Sequence, residues 1–409
     1  MNKKKLLIPI IALAVVIAII LVVVFSDPYR FRPEPKLPEK QISLETKETI
    51  KRTIISSELC KNKLSEKLLP VYETIGEFMN KSDSEIFYVE NVSEGDFELA
   101  YEAYSADHPE VFWIDTKSAY SYYETESTLE IEFNYILSGT TLVNARNDLN
   151  KALTKAFANV PKKANDLEIE VYINNYLVEH CSYDTNSAMC HTAYGALVNG
   201  KAVCDGYAHA FQLLCSKMGI ACSIIEGTSD FNDGKEEGHM WNCIKLGDDW
   251  YNVDVTWNDI NSAQFFCERF FYLNLTDEAI LKDHKFSPMF NSPDYIGTTT
   301  FNIFLPECKA TEFRYLDIYY ITIADPKNDN DMIASLIASA NKKEESCSFL
   351  IAESLPYAET CREIINNGYI NEWISAANHY CSKANQISME TKAYTYKNHN
   401  VLTVELNYE

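Results

Sequence analysis

A chain of 409 residues, 46% apolar and 12% aromatic, can bury a large core and is too apolar for disorder to describe most of it. Its formal net charge of −23 repels phosphate backbones, and no cluster of Lys and Arg interrupts it, so a nucleic-acid partner is excluded. The twelve cysteines follow no small-scaffold spacing, so no disulfide connectivity can be deduced, and many are expected to be buried thiols.

Leu6 to Phe25 form an uncharged apolar run. As a helix it can cross roughly 30 Å of hydrocarbon, which predicts one transmembrane anchor over residues 6–25. The run exceeds a usual signal-peptide core, and Phe25-Ser26-Asp27-Pro28 offers no small-x-small cleavage site. Lys3, Lys4 and Lys5 predict a cytoplasmic tail over 1–5 and place the remainder outside the cell membrane, although Arg30, Arg32 and Lys36 weigh the other way. Prolines 28, 33, 35 and 38 mark residues 26–48 as an extended spacer. Residues 49–160 read as an α+β region, in which alternating Leu129–Tyr135 predicts a half-buried strand.

Residues 161–290 carry the chemistry. Ile169, Ile173, Tyr176 and Leu177 share one helical face. Gly200-Lys201-Ala202-Val203-Cys204-Asp205-Gly206-Tyr207 then leads into a helix whose Phe211, Leu214, Cys215 and Met218 share a face and which ends at Gly219. Cys204 thus falls at a helix N-terminus, where unpaired N–H groups and the helix dipole favour a sulfur anion. Gly238–Lys245 and Trp250–Thr256 read as the arms of an antiparallel hairpin turning at Gly247-Asp248. An even-length connection gives opposed residues an odd index sum, and 239 plus 254 is odd, so His239 and Asp254 share a face and lie opposite or diagonally. A thiol nucleophile, an imidazole to move its proton and a carboxylate to orient the imidazole form a complete acyl-transfer set. Tyr207, Trp241, Asn242 and Trp257 are candidates for shaping the substrate cleft, each with packing as its competing role. Metal chemistry lacks support: there is no HExxH and no CxxC, and His180, Cys181, Cys190 and His191 match no zinc spacing.

Ala193–Val198, Gly200–Ala208, Gly238-His239-Met240-Trp241-Asn242 and Asp254-Val255-Thr256-Trp257 together resemble the transglutaminase-like superfamily, in particular its bacterial membrane-bound or secreted members. The resemblance covers residues 165–285 and implies an α+β, papain-like core with Cys204, His239 and Asp254 as nucleophile, base and orienting acid, and no metal or cofactor. Met240 departs from the small residue often found there.

Residues 291–409 read as a smaller α+β domain: strand Leu316–Ile323, helix Asp331–Ala340, strand Ser348–Ala352, helix Ala358–Ala377 and a terminal hairpin. Ala393-Tyr394-Thr395-Tyr396 before Leu402–Tyr408 echoes Ala119-Tyr120-Ser121-Tyr122 before Leu129–Tyr135, a possible internal repeat. The expected function is a membrane-anchored thiol enzyme that attacks peptide, protein or cell-wall amides, hydrolysis being favoured over crosslinking. The competing expectation is a noncatalytic surface module that binds peptides in the same cleft.

Overall fold

The computed structural model describes residues 33–37, 58–81, 85–230, 234–259, 265–290 and 300–408. The anchor expected over 6–25 and most of the 26–48 spacer lie outside them; among the described residues no helix is long and apolar enough to cross a membrane. The chain forms two compact units, Ile42–Ile318 and Tyr319–Glu409, the second also taking the segment 33–37. The break expected at residue 290 therefore falls later. Asn302 explains why: its side chain accepts from Glu226 N at 2.9 Å and donates to the carbonyls of Glu226 and Ser287 at 3.0 and 2.9 Å. Those bonds hold the segment after residue 300 on the larger unit.

The larger unit begins with α1 (Leu69–Lys81), β1 (Phe87–Glu90), α2 (Glu94–Asp107), β2 (Tyr120–Glu124), β3 (Thr128–Phe133) and α3 (Gly139–Phe157). Alternation does what the sequence asks of it: Leu129, Ile131 and Phe133 are buried, and β3 takes the centre of an antiparallel sheet ordered β1-β3-β2. Phe87 stacks on Phe78 of α1 at 4.3 Å and meets Phe97 of α2 and Phe133, which closes this core.

Next come α4 (Asp166–His180) and α5 (Cys204–Lys217), then β4 (Cys222–Asp230), β5 (Glu236–Leu246), β6 (Asp249–Val253), the short α6 (Val255–Asn258) and β7 (His284–Phe286). A capping box starts α4, with Asn165 accepting from Glu168 N and the Glu168 carboxylate accepting from Asn165 N. The four strands form an antiparallel sheet ordered β6-β5-β4-β7. Helix α5 buries Phe211, Leu214 and Cys215, and Asn242 of β5 donates to Ala208 O of α5 at 3.1 Å, tying the helix start to the strand.

The smaller unit comprises β8 (Ile321–Ile323), α7 (Asn330–Lys342), β9 (Ser346–Ile351), α8 (Tyr357–Asn366), α9 (Tyr369–Tyr380), β10 (Ala393–Tyr396) and β11 (Val401–Glu405), with sheet order β8-β9-β11-β10. Two expectations are corrected. The strand expected from Leu316 begins at Ile321, after a helical turn over Tyr315–Tyr319. The single helix expected over Ala358–Ala377 is two, because Gly368 adopts φ +85°, which right-handed helix forbids. Strand, helix and hairpin recur in both units with the last strand central, β1-β3-β2 and β9-β11-β10. Register does not follow the echo: Tyr120 opposes Phe133, whereas Tyr394 opposes Thr403, not Leu406.

Candidate active site

Cys204 is the first residue of α5, after extended Val203, and is half-buried. Close approach makes this start possible: a Cβ on Gly206 would lie 2.2 Å from Cys190 O, and Val203 N already donates to that carbonyl at 3.0 Å. His239 comes from β5 and Asp254 follows β6. The hairpin pairs Asn242 with Val253 and Leu246 with Asp249 about a two-residue Gly247-Asp248 turn in which Gly247 takes φ +62°. Indices of opposed residues sum to an odd number, so His239 and Asp254 fall on one face along a diagonal. Strand β6 stops at Val253, short of the expected Thr256, because Asp254 caps α6 by accepting from Trp257 N at 3.1 Å through Oδ1.

His239 Nε2 lies 2.7 Å from Asp254 Oδ2, and Cys204 is near enough to act on the charge of the imidazole. With Nε2 committed to the carboxylate, Nδ1 is the nitrogen left for sulfur. Burial alone would pull the imidazole down, but the charge and hydrogen bond of Asp254, helped by Cys204, push it up to about 10. Asp254 is fully enclosed, which works against its charge; the opposing attraction and hydrogen bonds of His239 and His284 hold it well below the usual carboxylate range.

His284 carries no site signal of its own in the sequence. The structure puts it directly behind Asp254, with Nε2 3.1 Å from Asp254 Oδ2 and Nδ1 2.7 Å from Asp283 Oδ1. The Tyr272 hydroxyl donates to Asp283 Oδ2 at 2.7 Å. A line of hydrogen bonds thus runs His239, Asp254, His284, Asp283, Tyr272. Among the described residues, His239, Asp254 and His284 are the group whose possible ligand atoms approach within 4.8 Å of one another. Both imidazoles spend Nε2 on the same carboxylate oxygen, so the donor set is one of hydrogen-bonded pairs rather than a cation cage.

The four cleft candidates lie behind the site. Tyr207 is 1% exposed and hydrogen-bonds Asp259; Trp241, also 1% exposed, donates to Asn252 Oδ1 at 3.1 Å. Asn242 is spent on the Ala208 and Ser223 carbonyls, and Trp257 packs its ring on His239 and His284. All four side chains are buried. Met240 does line open space, a cavity of about 310 Å³ shared with Glu102, Asp205 and His209. There burial, reinforced by the charge of Glu226, pushes Glu102 up to about 8. The sequence cluster around Cys181 does not assemble: His191 pairs with Asp205 at 2.7 Å, His180 turns back to Tyr176 O, and all twelve cysteines are free thiols.

A half-buried cysteine at a helix start, an imidazole near it and a buried carboxylate behind the imidazole are the groups that a Cys-His-Asp thiol site requires. Residues 152–255 match the transglutaminase-like superfamily, and this part of the chain is a transglutaminase-like domain. Kyphoscoliosis peptidase of Mus musculus is 25% identical over 169 residues, covering 37% of this chain and 25% of that protein. Its Homo sapiens counterpart is 29% identical over 136 residues, covering 29% and 21%. The chain therefore spans about a quarter of the length of these curated relatives. A solved TGase overlaps 46% of this chain and 56% of its own at 12% identity, with a TM-score of 0.25.

Proposed function

We propose that the chain is a thiol acyl-transfer enzyme, a cysteine amidase, peptidase or transamidase, acting on peptide, protein or cell-wall amides and held at a membrane through residues 6–25. The observation that carries this reading is the placement of half-buried Cys204 at a helix start near His239, whose Nε2 is bound to buried Asp254. His239 takes the thiol proton, the sulfur attacks the amide carbonyl, and the same proton passes to the leaving amine as the C–N bond breaks. A thioester on Cys204 remains, and water or an amine resolves it. Among the described residues, the N–H groups of Cys204 and Asp205 meet no protein acceptor, which suits them to an oxyanion. The peptidase name of the curated relatives supports hydrolysis over crosslinking.

The test is mass spectrometry of the protein incubated with a broad amide library. An acyl adduct on Cys204, absent in Cys204→Ala, is expected, and release of ammonia or of a new amino terminus then separates side-chain from main-chain amides. No adduct and no turnover, with peptide binding that survives Cys204→Ala, would replace this reading with the noncatalytic binding module.

A further inference from the structure

We infer that His284 is a positioning residue, a buried imidazolium clamped between Asp254 and Asp283 that holds Asp254 in place and moderates how tightly His239 keeps its proton. This rests on the thiol-enzyme reading above. Every atom that faces the ring at hydrogen-bond range argues for two protons. Nε2 meets a carboxylate oxygen at 3.1 Å and Nδ1 meets another at 2.7 Å. A neutral imidazole has one N–H and one lone pair, so it would press a lone pair against one carboxylate. Both oxygens of Asp283 are in use, Oδ1 by His284 and Oδ2 by the Tyr272 hydroxyl.

Packing holds the ring in that place. It is 1% exposed, with Trp257, Trp241, His239 and Tyr272 ring centroids 4.6, 5.1, 5.3 and 5.7 Å away. Strand β7 can approach β4 there because Gly227, which opposes Phe286, has no Cβ; one would sit 2.0 Å from Lys285 O and 2.6 Å from the Trp241 ring. The titratable groups around it are Asp254, Asp283, His239 and Tyr272, while neighbouring Lys285 is turned outward onto Glu236. Burial disfavours a charged ring, but the hydrogen bonds to Asp254 and Asp283 outweigh it and raise His284.

The consequence falls on His239. Asp254 Oδ2 is shared by two imidazoles, so its attraction for the His239 imidazolium is offset by a second positive charge 5.3 Å away. A base already pushed up to about 10 would otherwise hold its proton harder and give it less readily to a leaving amine.

Two measurements on the full chain test this. Nitrogen-15 NMR of histidine-labelled protein at pH 8 should show both His284 nitrogens protonated, with the assignment fixed by loss of the signal in His284→Gln. A neutral ring there overturns the proposal. The second is the rate of iodoacetamide labelling of Cys204 across pH. Removing the charge in His284→Gln should move the upper inflection, where His239 deprotonates, up by about one pH unit. His284→Ala, which also lacks a donor to Asp254, should label about tenfold more slowly than the Gln variant at neutral pH. An unmoved inflection in a folded Gln variant overturns the proposal. If wild-type Cys204 labels no faster than half-buried Cys381, the thiol-enzyme reading fails instead, and the NMR result stands apart from it.

Discussion

At the scale of single residues, two buried acids behave oppositely because one has a cation and the other does not. Asp254 sits between two imidazoles and stays ionised. Asp254→Asn removes the charge that holds the His239 imidazolium, so turnover should fall on the order of 10³-fold while the fold persists, as kinetics beside a thermal melt would show. Glu170 of α4 is fully enclosed with one Asn274 donor, and burial lifts it to about 8. A raised acid costs nothing below its unfolded value near 4.3, and the cost grows as pH climbs toward 8. Glu170→Gln should therefore stabilise the protein at pH 8 by about 4 kcal/mol and hardly at pH 4. Denaturant titration at both values checks it; equal effects would refute the buried-acid assignment. His239 has the other sign. Its folded value lies above the unfolded one near 6.5, so its stabilisation is complete below that pH and is lost as pH rises toward about 10.

At the scale of elements, local chemistry made the triad's two arms readable before any coordinates. Cys204 was placed by a Gly-rich entry and an apolar helical face, and the hairpin by Gly247-Asp248 together with index parity. Hidden from view was what depends on contacts distant in sequence. His284 reaches Asp254 through strand pairing with β4, 55 residues before it in the case of Ser229. Tyr207, Trp241, Asn242 and Trp257 are buried, and a residue beside a motif residue gives no sign in the sequence of which side of the sheet it packs on. The α8–α9 break is also a local signal, Asn367-Gly368, overridden in the reading by continuous apolar periodicity on both sides. Gly206 makes the dependence of the site on its element testable. A methyl group there would press on Cys190 O, a backbone atom that cannot rotate away, so Gly206→Ala must displace either the 189–190 segment or the start of α5. We expect a loss of about 2 kcal/mol in stability and at least about tenfold slower labelling of Cys204, measured on the same sample. Wild-type labelling in Gly206→Ala would show that the close approach does not place the thiol.

At the scale of the whole molecule, the sequence echo between residues 119–135 and 393–408 proved informative about topology and misleading about register. Two hairpins with the same strand order differ in which residues they oppose, because a three-residue shift, being odd, alters every partner and turns the shifted strand's residues to the other face of the pair. Charge at the other end of the chain carries the remaining prediction. The apolar run from Leu6 to Phe25 is preceded by three lysines within a five-residue tail, whereas a large folded region bearing most of the 59 acidic residues follows it. Basic residues flanking a span resist translocation, and long folded regions cross largely regardless of their charge, so the proposed anchor should leave Lys3, Lys4 and Lys5 in the cytoplasm and Cys204 facing outward. Protease added to intact cells stripped of any wall should then digest the region after residue 48, while inverted vesicles should protect it. A chain that washes from membranes with carbonate would remove the anchor from the proposal, and digestion in inverted vesicles alone would reverse its orientation. Neither result would touch the triad, whose geometry is set inside the Ile42–Ile318 unit.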